Sequence, residues 1–159
     1  MWGELAAEQI KNEASAATTR EGMDVENTVN GNDVAAGVID ADAEAKKLAE
    51  SWGLKVFIGD HVFNQNNHFA GTDEERASDF QKALDNPSIK AIWCARGGYG
   101  LSRIIDTLDF TAMQSHPKWV IGFSDITVLH AALQKKGIMS IHGPMAAAFS
   151  KGPEGEPYI

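Results

Sequence analysis

The sequence predicts an α/β fold, a three-layer sandwich built on a mainly parallel sheet. Three observations predict it. Short apolar runs of strand length, KVFIG, IKAIWCA and KWVIGF, alternate with longer amphipathic runs of helical period. The joints between them carry Gly, Asn or Pro. The chain has 159 residues, 43% apolar and 23% charged, which suits one globular domain with a real core. Strands separated by helices imply parallel pairing, right-handed crossovers and helices on both faces of the sheet.

Taken in order, residues 1–33 are polar, contain NTVNGND and show only a weak helical stripe, so they read as a helix-forming or disordered extension. IDADAEAKKLAESWG reads as a helix, with Asp40 and Asp42 at its start and Gly53 as its stop. KVFIG (55–59) reads as a buried strand. After an Asn-rich loop, Thr72 and Glu75 form a capping box that opens a helix over roughly 73–85. Phe80 and Leu84 share its apolar face, with Ala77 and Ala83 beside them. Asn86-Pro87 breaks the helix, and IKAIWCA (89–95) is the next strand. RGGYG then turns into a short helix that buries Leu101, Ile104, Ile105 and Leu108. KWVIGF is a strand running straight into the helix DITVLHAALQKK, which Gly137 ends, and IMSIHGP gives a last short strand. KGPEGEPYI (151–159) reads as the start of a linker. The sandwich so predicted is flavodoxin-like, or like the class I glutamine amidotransferases.

Composition removes several classes of function. A net charge of -8 disfavours a nucleic-acid role, because phosphate contact needs a basic face. The pairs Lys46-Lys47 and Lys135-Lys136 are solvated helix faces or ends. The single cysteine, Cys94, excludes an internal disulfide and a cysteine-cluster metal site, and within AIWCA it reads as a small buried hydrophobe. No apolar run is long enough to cross a bilayer, and the N-terminus lacks the pattern of a secretory signal, so a cytoplasmic location is expected.

Two loops at the carboxyl ends of strands carry unusual chemistry. Arg96-Gly97-Gly98-Tyr99-Gly100 places three glycines in four residues directly after a strand. Such a loop lets bare backbone N–H groups approach an anion or an oxyanion, though a plain turn has the same composition. Gly122-Phe123-Ser124-Asp125-Ile126 sets a serine between an apolar strand and a helix, which is the layout of a nucleophile elbow. Ser124 or Asp125 as a simple helix N-cap fits the same residues. A serine nucleophile also needs a base and a group to orient it. His130 lies six residues into the helix, nearly on the opposite face from Ser124. His61, His68 and His116 sit in loops. His142 alone falls at a strand's carboxyl end on the site's edge, where it lines the site or bonds backbone within HGP. No complete triad can be written from these residues.

AGTDEERASDFQKAL, KAIWCARGGYG, KWVIGFSDITVLHAAL and IHGPM, in this order and spacing, resemble the N-terminal domain of the LD-carboxypeptidase family, which also includes the microcin-immunity serine peptidases. The resemblance covers about residues 34–149, and the pairing of RGGYG with GFSD is its most specific part. It implies a nucleophile domain over 34–150 that hydrolyses an L,D amide bond, typically releasing the terminal D-alanine of a muropeptide tetrapeptide during cell-wall recycling. In the microcin-immunity branch the implied substrate is a peptidyl nucleotide.

The resemblance also implies that Ser124 is the nucleophile, with the N–H groups of Asp125 and Gly98 as the oxyanion hole. Arg96, Gly97, Tyr99 and His142 then line the substrate. No metal or organic cofactor is implied. The remaining triad members, a glutamate and a histidine, belong in this family to a C-terminal domain, which is the partner expected here together with a homodimeric mate. Family members open on an apolar first strand, whereas VNGNDVAAGVID keeps only the turn-like AAGVID, so the central strand is expected to be missing or replaced. The leading expectation is therefore a hydrolase domain that is incomplete and inactive alone. The alternatives are a module that binds the same ligands without turnover and a structural fragment.

Overall fold

The computed structural model describes residues 24–27 and 37–149. The expected linker at 151–159 and most of the expected N-terminal extension lie outside these residues. Five strands form one parallel sheet: β1 (Asp24–Asn27), β2 (Lys55–Ile58), β3 (Ile89–Trp93), β4 (Trp119–Gly122) and β5 (Ile141–His142). Their order is β2-β1-β3-β4-β5. The order reverses between β1 and β3, so a crevice is expected outside the carboxyl ends of those strands and their neighbour β4.

The helices are α1 (Gly37–Ser51), α2 (Asp73–Asp85), α3 (Leu101–Ile104), α4 (Ala112–Ser115) and α5 (Thr127–Lys135). Short 3-10 turns cover 105–107, 124–126 and 146–149. Two apolar clusters mark the two faces of the sheet. On one face Phe80 and Leu84 of α2, Leu101 and Ile104 of α3, and Leu129 and Leu133 of α5 pack on Ile92 and Val120. On the other, Ala45 and Ala49 of α1 and Ala146 pack on Ala91, Trp93 and Ile121. This is the expected three-layer sandwich.

A register irregularity in β3 explains which residues face which way. Asp24 pairs with Ile89 but Val25 pairs with Ala91, leaving Lys90 as an extra residue. Such a bulge reverses the alternation on either side of it. Ile89 accordingly joins the cluster under α2 and α5, whereas Ala91 and Trp93 join the cluster under α1.

Two expectations about strands need correction. The first strand, expected to be missing or replaced, is present as an interior strand at Asp24–Asn27, upstream of VNGNDVAAGVID and within the polar extension. It pairs in parallel with β2 on one side and β3 on the other. DVEN has no apolar run to announce it; its place is set by two ladders of backbone hydrogen bonds rather than by hydrophobicity. Second, β2 is not buried. It ends the sheet, its residues alternate between exposed and half-buried, and Phe57 is 36% exposed. An edge strand with one neighbour leaves a side open to water.

The helix predictions hold closely. α1 begins at Gly37, which puts Asp40 in its first turns, and it stops before Gly53, whose φ is +82°. α2 carries the full capping box: Glu75 N–H donates to Thr72 Oγ1 (3.2 Å) and Thr72 N–H donates to Glu75 Oε2 (2.8 Å). Gly137, at φ +74°, ends α5. The four-residue α4 had no predicted counterpart.

Candidate active site

The nucleophile candidate is built by the junction of β4 and α5. Gly122 ends the strand, Phe123 is still extended (φ -147°), and Ser124 turns into the left-handed region at φ +61°. For a residue with a Cβ this conformation costs on the order of 1–2 kcal/mol. The surrounding turn holds it there, and Ser124 is exposed. Gly122 is required beneath it, because a Cβ at that position would lie 2.9 Å from Ile126 Cγ1. The chain at 120–130 is therefore a strand, a sharp turn and a helix, not one continuous helix, and Ser124 stands at the turn's tip.

The glycine loop lies against this turn. A Cβ on Gly97 would be 3.0 Å from Ser124 Cβ and 3.3 Å from Ser124 Oγ, with Met145 Cε at 3.4 Å. Only a residue without a side chain lets the loop come this close. Gly98 follows at φ +144° and Gly100 at φ +128°, both conformations that favour glycine. Arg96 is half-buried beside them, and Tyr99 is 75% exposed at the loop's tip. Asp125 joins the two loops, since its Oδ2 accepts the backbone N–H of Leu101 at 3.0 Å.

The loop is supported from behind by residues that sequence reasoning passed over. The Phe69 ring carries the guanidinium groups of Arg76 (4.8 Å from its centroid) and Arg103 (5.3 Å). Gly100 rests on this ring, and a Cβ there would be 2.9 Å from Phe69 Cδ1. Asp73 pairs with both arginines; the Arg103 hydrogen bond is the main cause holding its carboxyl below the usual range. Arg76 is 2% exposed and donates to Gly71 O at 3.0 Å. Asp79, 3% exposed, accepts from the N–H of His61 (2.7 Å) and bonds its ring Nδ1 (2.7 Å). A signal was available in the sequence: Arg76 and Asp79 interrupt the stripe of Phe80 and Ala83, and charges inside a helix's apolar face need partners.

The histidines divide differently from expectation. His130 does reach back, although to the root of the turn and not to the hydroxyl: its Nε2 is 2.9 Å from Gly122 O, and its Nδ1 is 2.8 Å from Ser140 Oγ. Helical phase counted from Ser124 misplaces it, because residues 124–126 form a 3-10 turn and α5 begins only at Thr127. A carbonyl only accepts, so Nε2 carries the proton in that bond. His142 is exposed and stands edge-on to Phe123 at 6.3 Å between ring centroids. Its strand partner is Gly122, two residues before Ser124. The HGP turn is held by other groups: Gly143 N–H donates to Gly122 O (3.1 Å), and Trp93 Nε1 donates to Pro144 O (2.8 Å).

Cys94 is fully buried, and burial pushes its thiol up to about 12, so it has the properties of the small hydrophobe expected. Among the described residues, no group of three or more His, Cys, Asp or Glu side chains is placed to hold a metal ion. Among them, too, no helix is long and apolar enough to cross a membrane.

Comparison with known proteins converges on one group. The sequence profile of the LD-carboxypeptidase N-terminal domain matches residues 32–143. The murein tetrapeptide carboxypeptidase of Pseudomonas aeruginosa is 40% identical over 109 residues, covering 68% of this chain and 36% of that protein. Among solved structures, the muramoyltetrapeptide carboxypeptidase of Oxalobacter formigenes superposes with a TM-score of 0.70 at 32% identity, over 82% of this chain and 43% of its own. The microcin C7 self-immunity protein MccF, in complex with aspartyl sulfamoyl adenosine, gives a TM-score of 0.74 at 25% identity, over 83% and 40%. The chain spans about a third of the length of the curated relatives it matches.

Proposed function

The chain belongs to the LD-carboxypeptidase family, and from that premise we propose that it is the nucleophile-bearing half of a serine peptidase hydrolysing an L,D amide bond. The observation that carries this reading is Ser124 at φ +61° on an exposed strand-to-helix turn, with Gly97 closing on its hydroxyl. In this reading Ser124 Oγ attacks the amide carbonyl while its proton passes to a base. The developing oxyanion is met by the N–H groups of Asp125 and Gly98. The amide bond breaks, D-alanine leaves with the proton, and water then hydrolyses the acyl-serine.

The base and its orienting acid are assigned to the part of the longer relatives that this chain does not span. The substrate is the tetrapeptide of a muropeptide, in the cytoplasm, bound over Arg96, Gly97, Tyr99 and His142. Support for a muropeptide over a peptidyl nucleotide is that the murein-named relative is 40% identical, whereas MccF is 32% identical.

The test is D-alanine release from a muropeptide tetrapeptide. We expect negligible turnover by the 159-residue chain and ordinary turnover once it is joined to the C-terminal part of the Pseudomonas aeruginosa relative. Ser124→Ala in that chimera should lower kcat by several powers of ten. An Ser124→Ala chimera that keeps its rate would overturn the assignment, and turnover of an aminoacyl nucleotide alone would move the substrate to the other branch.

A further inference from the structure

Resting on that reading of Ser124, we propose that the side chain of Asp125 is a positioning residue, separate from the oxyanion role of its backbone N–H. It locks the glycine loop onto the nucleophile turn, so that both halves of the oxyanion site move as one piece.

The loop needs such a lock. With glycines at 97, 98 and 100, its backbone has little preference of its own. Gly100 is the N-cap residue of α3 and has no side chain to cap the helix, so the first N–H of α3 would be left without a partner. That N–H, on Leu101, instead donates to Asp125 Oδ2 at 3.0 Å, from an element 24 residues further along the chain. Asp125 is half-buried, while its neighbour Ile126 is buried at 1% exposure and fixes the turn from below. The carboxylate therefore ties the nucleophile turn to the end of a glycine-rich loop.

Close packing also fixes the loop: a Cβ on two of its glycines would run into neighbouring atoms. Gly97 meets Ser124 and Met145, and Gly100 meets Phe69 and Arg76. The Leu101–Asp125 bond adds a directional attraction between the loop's end and the nucleophile turn. A carboxylate beside a developing oxyanion would oppose catalysis if its charge pointed there; committing Oδ2 to the Leu101 N–H turns part of that charge toward the loop instead.

The lock can be tested in the 159-residue chain without any assay of turnover. Asp125→Ala should speed hydrogen exchange of the Leu101 amide by about tenfold or more, as expected when a hydrogen bond to a charged group is removed. It should also shift the Gly97, Gly98 and Gly100 amide resonances while leaving those of Gly53 and Gly137 in place. Asp125→Asn keeps an acceptor oxygen and should restore the wild-type pattern. In the chimera, Asp125→Ala should lower kcat by about 10–100-fold with KM little changed, the effect of a small misplacement of aligned groups. Asp125→Asn should stay within a few-fold of wild type. Unchanged glycine resonances and kcat in Asp125→Ala, or an Asn variant as impaired as the Ala variant, would overturn the lock. A fully active Ser124→Ala chimera would instead remove the nucleophile reading and leave the Leu101 measurement standing.

Discussion

Gly97 meets Ser124 in a contact that leaves little room for a side chain on the glycine. A methyl on Gly97 would meet the Ser124 Cβ at 3.0 Å and its hydroxyl at 3.3 Å. The first contact is with an atom fixed by a left-handed backbone, so the serine cannot give way without leaving its turn. Gly97→Ala is therefore expected to displace the hydroxyl and lower turnover of the chimera by about 10–100-fold. Its cost to stability should be the modest one of overpacking, about 1–3 kcal/mol. Steady-state kinetics beside urea unfolding separates the two effects. The importance of Gly97 was only partly legible in the sequence. The glycine run announced a close approach, but which glycine meets the serine depends on where β3 ends and how the loop leaves it. Ser124 itself was legible because an apolar run stops one residue before it and an amphipathic one starts just after.

At the scale of elements, the loop between β2 and α2 behaves as a bracket for the glycine loop. Asn64 Nδ2 donates to Glu75 Oε1 (2.9 Å), and Thr72 N–H donates to Glu75 Oε2, so one carboxylate holds two points of the bracket. The Thr72 N–H, and after it Asn64, keep the Glu75 carboxyl below its ordinary value of 4.5. A carboxyl with a lowered folded pKa contributes stability above its unfolded pKa, and that stability is lost as pH falls through the folded value. Wild type should therefore lose its advantage over Glu75→Gln as pH drops below about 4.5, while showing it fully at pH 7. Urea unfolding at both pH values checks this, and a gap that widens in acid would contradict it. The capping box was legible from Thr72 and Glu75 alone, because its geometry is local. The pairings of Asp79 with His61 and of Phe69 with two arginines were not, since each joins residues that only the tertiary fold brings together.

At the scale of the whole molecule, apolar clusters cover both faces of one sheet. The one beneath α2, α3 and α5 contains Phe80, Leu84, Ile92, Leu129 and Leu133, all at 0% exposure. Phe80→Ala should cost about 3–5 kcal/mol, since a fully buried ring leaves a cavity that helices on a twisted sheet close only in part. Chemical denaturation would measure it; a loss below about 1 kcal/mol would mean that α2 collapses freely onto the sheet. The sandwich was legible from the alternation of apolar strands and amphipathic helices, because burial on both faces writes itself into β3 and β4. The central strand was not, because DVEN lacks that signature and is specified by its two neighbours.

The same strand sets the order in which the fold can form. β1 precedes both of its partners in the chain, and one of them, β3, starts only at Ile89. The middle of the sheet therefore cannot zip up as the polypeptide is made. β1 can pair with β2 first, but its other edge must wait for that distant segment, and the cost of closing the long loop falls before its reward. A nascent chain halted before β3 would hold β1 and β2 as a pair whose inner edge has no partner.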